Sequence, residues 1–160
     1  MLIISLILMA VGVAADQVVK YLVVENLKPL GSYTVIPGFL DLTYAENTGA
    51  AFSILEGHTW ILSVVVSVCI ILVLGATIFY QNHTFFSRAA AILIVAGGVG
   101  NLIDRFVLGY VVDYISVSFF PPIFNLADCF VVVGVILFLI HMLFMSRADI
   151  GREHIIRTRR

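Results

Sequence analysis

Polar side chains that can carry acid–base chemistry are concentrated between residues 97 and 128 of an otherwise strongly apolar chain. Such groups are costly at membrane depth, so their clustering predicts a functional site. Asp113 and Asp128 are the predicted catalytic pair. Two neighbouring carboxylates that share one proton supply a base that activates water and an acid that protonates a leaving amine. The polar residues of the segment are Asn101, Asp104, Arg105, Asp113, Asn125 and Asp128.

Three of these residues are spaced for one face of a helix. Asn101, Asp104 and Arg105 stand at positions i, i+3 and i+4, which places them side by side if the helix continues there. Asn101 and Arg105 offer donors suited to holding a peptide carbonyl, so we expect them to position substrate. Asp104 is interpreted as structural. An alternative interpretation of Arg105 is that its side chain only extends to the membrane interface and has no further role.

Asn125 and Asp128 have a second interpretation as helix caps. They follow Pro121-Pro122 and precede an apolar run, an order typical of a helix start with Asn125 as N-cap and Asp128 at the third helical position. An acid in that first turn can also face a cavity, where the helix dipole favours its ionised form. Asp113 has apolar and aromatic neighbours on both sides and gains nothing there without a partner.

The elements that must position these residues are membrane helices. The chain has 160 residues, of which 61% are hydrophobic and 12% charged, and its mean hydropathy is +1.10. This composition predicts one integral membrane domain rather than a soluble one. A span needs about 20 apolar residues. The spans are predicted at about residues 2–24, 60–79, 89–108 and 127–145, and a basic tail follows at residues 146–160.

The predicted fold is therefore an all-α membrane protein with four transmembrane helices and one small extracytoplasmic β-rich platform between helices 1 and 2. Residues 25–58 are too apolar for a free linker, and their β-branched and aromatic residues flank a Pro37-Gly38 turn, which predicts a hairpin. Five of the nine Lys and Arg residues follow Met145. The positive-inside rule then places both termini in the cytoplasm and the platform outside it.

Other functions remain open at this point. A proton-coupled transporter would use Asp113, Asp128 and Arg105 to line an ion path, but transport sites normally lie near the bilayer midplane. A structural assembly factor would use the acids only as caps and ion pairs. The sequence has no HExxH, GxSxG or P-loop motif and its histidines are scattered, so neither a metal site nor a nucleophilic triad is predicted. The charge balance does not suggest nucleic acid.

Five short motifs in this order resemble the bacterial lipoprotein signal peptidase family, also called signal peptidase II. Each motif is weak alone, but the five together are specific and span nearly the whole chain except the basic tail. They are Asp16-Gln17-Val18-Val19-Lys20, Asn47-Thr48-Gly49-Ala50-Ala51-Phe52-Ser53, Gly100-Asn101-Leu102-Ile103-Asp104-Arg105, Val111-Val112-Asp113-Tyr114-Ile115 and Phe124-Asn125-Leu126-Ala127-Asp128.

The resemblance implies an intramembrane aspartic endopeptidase, without cofactor or metal, that cleaves prolipoproteins just before a diacylglyceryl-modified cysteine. Its partners would be these substrates and membrane lipid. Its location would be the bacterial cytoplasmic membrane, with the active site near the extracytoplasmic face. Asp113 and Asp128 match the family's catalytic aspartates. The positions that match its substrate-orienting or site-shaping residues are Asp16, Lys20, Asn47, Gly49, Asn101, Arg105 and Asn125.

Overall fold

The computed structural model describes residues 2–49, 57–79 and 83–158, with side chains described as far as residue 143. The later residues of the Asn47 motif, 50–53, lie outside the described residues. The elements in chain order are α1 (Leu2–Asn26), β1 (Ser32–Ile36), β2 (Leu40–Asn47), α2 (Thr59–Phe79), α3 (Phe85–Val107), β3 (Val111–Val117), β4 (Phe120–Phe124) and α4 (Leu126–Thr158).

Four of the described helices are long and apolar enough to cross a membrane. Their outward faces expose large apolar side chains, such as Ile71 and Leu72 of α2, because lipid rather than protein surrounds them. In α4 the membrane-compatible part is Leu126–Leu143, but the helix continues to Thr158. α3 begins four residues before its predicted start at residue 89, because Thr84 and Ser87 form a capping box.

The β platform is larger than the sequence predicted. The Pro37-Gly38 hairpin forms as expected, and Gly38 has a positive φ of 74°. The predicted platform lay only between helices 1 and 2, whereas β3 and β4 join it from the connection between α3 and α4. The result is a four-stranded antiparallel sheet in the order β1-β2-β3-β4. Pro121 and Pro122 are accommodated in β4 because it is an edge strand whose pairing with β3 runs through Phe120 and Phe124 rather than through the prolines.

α3 is the central helix and packs against the other three. Glycines permit this close approach. A Cβ on Gly97 would clash with the backbone carbonyl of Ala127 in α4, and a Cβ on Gly100 would lie 2.5 Å from the Asp16 carboxylate of α1. A separate apolar cluster of Val23, Leu27, Val112 and Tyr114 fastens the sheet to the end of α1, which holds β3 against the end of the helix bundle.

Candidate active site

Asp113 and Asp128 meet at the end of the bundle where α1 and α3 finish and α4 begins. Asp113 lies in β3 and is only 2% exposed. Asp128 lies in the first turn of α4 and is partly buried. The fold thus brings together two carboxylates that are separated in the chain by most of the β3–β4 hairpin.

The Asp113 carboxylate accepts hydrogen bonds on both oxygens. Asn47 Nδ2 donates to Oδ2 at 2.7 Å, and Asn125 Nδ2 donates to Oδ1 at 2.6 Å. Asn47 is itself held by Gly49, whose backbone N–H donates to Asn47 Oδ1 at 2.9 Å. The end of β2 therefore presents an oriented amide to the acid on β3.

Asp128 is both a helix cap and a member of the site. The Asn125 side chain accepts from the Asp128 N–H at 3.0 Å, and Asp128 Oδ2 accepts from the Asn125 N–H at 3.0 Å, which is the reciprocal pattern of a capping box. Asp128 Oδ1 remains available and accepts from Asn101 Nδ2 at 2.7 Å. The capping interpretation and the catalytic one are compatible because they use different oxygens.

Two asparagines connect the carboxylates to each other. Asn125 Nδ2 also lies 3.0 Å from Asn101 Oδ1. Each amide group therefore points its NH₂ towards an aspartate, and the orientation of one constrains the other. This network ties β3, α3 and α4 together through side chains.

Burial, together with the nearby negative charge of Asp128, raises the pKa of Asp113 to about 6 despite the lowering effect of the Asn47 and Asn125 amides. An acid with this pKa exchanges its proton close to neutral pH. That property suits a group which must both hold and release a proton during one reaction.

Asp16, Lys20 and Asp104 form a charged cluster behind the asparagines. Lys20 Nζ lies 2.9 Å from both Asp16 Oδ2 and Asp104 Oδ2, and it donates to Asn101 Oδ1 at 2.8 Å. Asp16 is fully buried and Lys20 is 3% exposed. Asp16 and Lys20 stand four residues apart in α1 and form a buried ion pair, and this burial favours a supporting role over direct contact with substrate.

Arg105 reaches from α3 towards the start of the segment that follows β2. Its guanidinium donates to Asn101 O at 3.4 Å and to Gly49 O at 3.3 Å, while its buried Nε has no partner among the described residues. Arg105 also lines a cavity of about 370 Å³ between α2 and α3, together with Ser63 and Ser67. A ligand in this cavity would lie beside the guanidinium.

The signal peptidase (SPase) II family matches residues 8–144. The chain belongs to this family. The match confirms the resemblance drawn from the five motifs, and all the polar residues described above lie within it.

Two lipoprotein signal peptidases are similar to this chain over almost their whole length. A lipoprotein signal peptidase of Caldanaerobacter subterraneus subsp. tengcongensis is 44% identical over 133 residues, covering 83% of this chain and 91% of the relative. One from Enterococcus faecalis is 41% identical over 152 residues, or 92% of each chain.

Solved structures agree with the fold of this signal peptidase II family member. A bacterial membrane enzyme determined by the in meso method at 2.3 Å resolution has a TM-score of 0.80 and 36% identity, with 89% of this chain and 88% of that chain covered. A second, at 1.9 Å, has a TM-score of 0.77 and 37% identity, with 87% and 92% covered.

Sequence reasoning missed two residues that support the site of this family member. Gln17 Nε2 donates to Asp104 Oδ1 at 3.0 Å and to Gly100 O at 3.2 Å. The Tyr114 hydroxyl accepts from the Leu126 N–H at 3.2 Å. Both belong to the quoted motifs, so their position beside Asp16 and Asp113 was the available signal. Among the described residues, no group of three His, Cys, Asp or Glu side chains is placed to hold a metal ion.

Proposed function

We propose that this peptidase is an intramembrane aspartic endopeptidase that cleaves prolipoproteins before a diacylglyceryl-modified cysteine. Membership of the signal peptidase II family supports the peptidase activity, and the relatives named lipoprotein signal peptidase support the substrate class. The observation that carries the aspartic mechanism is the shared partner of the acids, since Asn125 donates to both Asp113 and Asp128.

In the proposed reaction, Asp113 and Asp128 share one proton. The ionised carboxylate takes a proton from a water molecule while the water oxygen attacks the scissile carbonyl carbon, and the protonated carboxyl group donates its proton to the carbonyl oxygen. Collapse of the tetrahedral intermediate breaks the C–N bond as the leaving amine takes the proton gained from water. One hydroxyl of the intermediate returns its proton to the carboxylate that had donated one, which restores the shared proton of the pair. The titration belongs to the pair rather than to either acid.

Substrate binding is assigned to the polar residues that surround the pair. A helical substrate must unwind to expose its scissile carbonyl, and the lost backbone hydrogen bonds must be replaced inside the membrane boundary. Arg105 and Asn101 supply donors for this purpose, with Asn47 and Gly49 shaping the opposite wall. Asn125 orients the acids instead of contacting substrate, because it is fully buried and its amide is bound to Asp113. Asp16 and Lys20 support these groups from behind. Lipid-modified substrate reaches the site laterally from the bilayer, and no cofactor takes part.

The proposed location is the bacterial cytoplasmic membrane, with one peptidase domain over residues 1–160, both termini and the 146–160 tail in the cytoplasm, and the active site near the extracytoplasmic face. Support comes from four helices that can cross a membrane and from the excess of Lys and Arg after Met145. The paired acids lie at one end of the helix bundle. This position disfavours the transporter alternative, which needs polar groups along a path through the bilayer.

The test is cleavage of a diacylglyceryl-modified prolipoprotein peptide by purified wild type, Asp113→Asn and Asp128→Asn in detergent with a chelator present. We expect the wild type to cleave and both folded variants to lose activity by several orders of magnitude. Normal cleavage by either variant would exclude the aspartic mechanism. Normal lipoprotein processing in cells by Asp113→Asn would favour a structural factor instead.

A further inference from the structure

The ammonium group of Lys20 is saturated with buried acceptors. It has three N–H donors, and three acceptors surround it: Asp16 Oδ2 at 2.9 Å, Asp104 Oδ2 at 2.9 Å and Asn101 Oδ1 at 2.8 Å. Lys20 is 3% exposed, so water does not compete for these contacts. One cation thus joins α1 to two positions on α3.

Each carboxylate bound to Lys20 also holds a backbone amide next to one of the acids of the site. Asp104 Oδ2 accepts from the Val112 N–H at 3.1 Å, and Val112 immediately precedes Asp113. Asp16 Oδ1 accepts from the Ala127 N–H at 3.1 Å, and Ala127 immediately precedes Asp128. The two arrangements are equivalent although they belong to a strand and a helix start.

The third acceptor extends the same connection to the side chains of the site. Because Asn101 Oδ1 accepts a hydrogen bond from Lys20, the Asn101 NH₂ group is turned towards the Asp128 carboxylate, to which it donates at 2.7 Å. Asn101 Oδ1 also accepts a hydrogen bond from the Asn125 side-chain amide, which donates to Asp113 as well. Lys20 is therefore connected to both carboxylates of the site by hydrogen bonds, some through backbone amides and some through side chains.

We propose that Lys20, Asp16 and Asp104 act as a clamp that sets the relative position of Asp113 and Asp128, with Lys20 as its central positioning residue. This inference rests on the proposed function, because it assigns the clamp a role in the reaction of that pair. None of the three residues touches substrate, since all are at most 3% exposed.

Stability alone explains this arrangement poorly. A buried ion pair commonly contributes no more to folding than well-packed apolar residues of similar volume, because the desolvation of its charges offsets their attraction. The cluster also requires a glycine, since a Cβ on Gly100 would lie 2.5 Å from Asp16 Oδ2. What apolar residues cannot supply is a directed acceptor for the Val112 and Ala127 amides.

The first experiment compares Lys20→Met with Lys28→Met, using the lipid-modified peptide. Lys28 is the matched control, because it also pairs with a carboxylate, Glu46 at 3.0 Å, but is exposed and makes this pair at the surface rather than with the buried acceptors of the site. Displacing reacting groups by about 1 Å can cost on the order of 100-fold in rate. We expect Lys20→Met to lower kcat by about 100-fold with KM changed less than about 3-fold, and Lys28→Met to change neither.

A double-mutant cycle separates a clamp from independent structural effects. Asp104→Asn alone weakens one arm and should lower kcat by itself. If Lys20 is the common centre, adding Asp104→Asn to Lys20→Met should cost much less than it does in the wild type. The pH profile adds a second readout. Loss of the Lys20 charge by itself raises the pKa of Asp113, whereas a looser pair repels less and brings the two apparent pKa values of the pair closer together.

Unchanged kcat in folded Lys20→Met, or additive effects of the two substitutions, would overturn the clamp. If Lys20→Met does not fold, Asp104→Asn decides the matter, because a folded variant with wild-type kcat and pH profile also overturns it. Failure of the proposed function gives a different result, in which wild type itself does not cleave or Asp113→Asn cleaves normally.

Discussion

Asn125 donates its side-chain amide to Asp113 across 2.6 Å while its backbone N–H donates to Asp128. One residue therefore caps α4 and contacts both acids of the site. This double use lets the start of one helix orient the two acids that we propose as the catalytic pair.

The two roles of Asn125 can be separated by substitution. Asn125→Ser retains an N-cap hydroxyl but removes the amide that reaches Asp113. We expect kcat of this variant to fall by about 100-fold, as for loss of one oriented donor. Its thermal stability in detergent should fall by about 1–3 kcal/mol, because buried acceptors on Asp113 and Asn101 lose their donor. Asn125→Ala should lose about 1 kcal/mol of stability in addition. Equal kcat for wild type and Asn125→Ser would contradict a role for this amide in the reaction.

Asn47→Ala should move the pH–activity profile to higher pH. The Asn47 amide lowers the pKa of Asp113, which burial raises to about 6. Removing this donor leaves the carboxylate form less stabilised, so the pKa of Asp113 rises and each apparent pKa of the pair moves upward. The measurement is kcat/KM of purified enzyme from pH 4 to 9. Glu46→Gln, an exposed neighbour in β2, is the control, and a profile that moves equally in both variants would exclude the proposed link.

Gly100→Ala tests the close contact between α1 and α3. The new Cβ would lie 2.5 Å from Asp16 Oδ2, so the helices must separate, at a cost of about 1–3 kcal/mol. Gly75→Ala is the matched control because a Cβ there has nothing within 4 Å, and the same substitution should leave stability unchanged or raise it by up to about 1 kcal/mol. Thermal unfolding in detergent distinguishes the two variants, and equal melting temperatures for Gly100→Ala and Gly75→Ala would refute the packing argument.

Arg105→Lys should impair cleavage without affecting insertion. The guanidinium contacts Asn101 O and Gly49 O together, whereas an ammonium lacks the planar fork that reaches both. Loss of one charged hydrogen bond predicts a decrease in kcat/KM of at least about 10-fold. Arg105→Ala should lower kcat/KM further. Arg88→Lys, at the opposite end of α3, should cleave like wild type. Full activity of folded Arg105→Ala would remove the proposed role in substrate positioning.

The amino-acid sequence by itself determined the membrane class, the four apolar helices, the first hairpin and the family. These features depend on local composition, on turn residues such as Pro37-Gly38 and on the order of short motifs. Sequence reasoning also singled out the polar residues that the fold brings together, because such residues are rare in an apolar chain. Helix-start signals correctly indicated the cap formed by Asn125 and Asp128.

Only the tertiary structure decided how those residues are connected. β3 pairs with β2 across more than sixty residues, so nothing local to Val111–Val117 could reveal that the platform draws strands from two connections. Likewise, Asp104 and Asp16 belong to different helices, yet each holds the amide that precedes an acid of the site. Long-range hydrogen bonds of this kind depend on how helices approach one another, and that approach is set by packing at Gly97 and Gly100 rather than by any neighbouring residue in the chain.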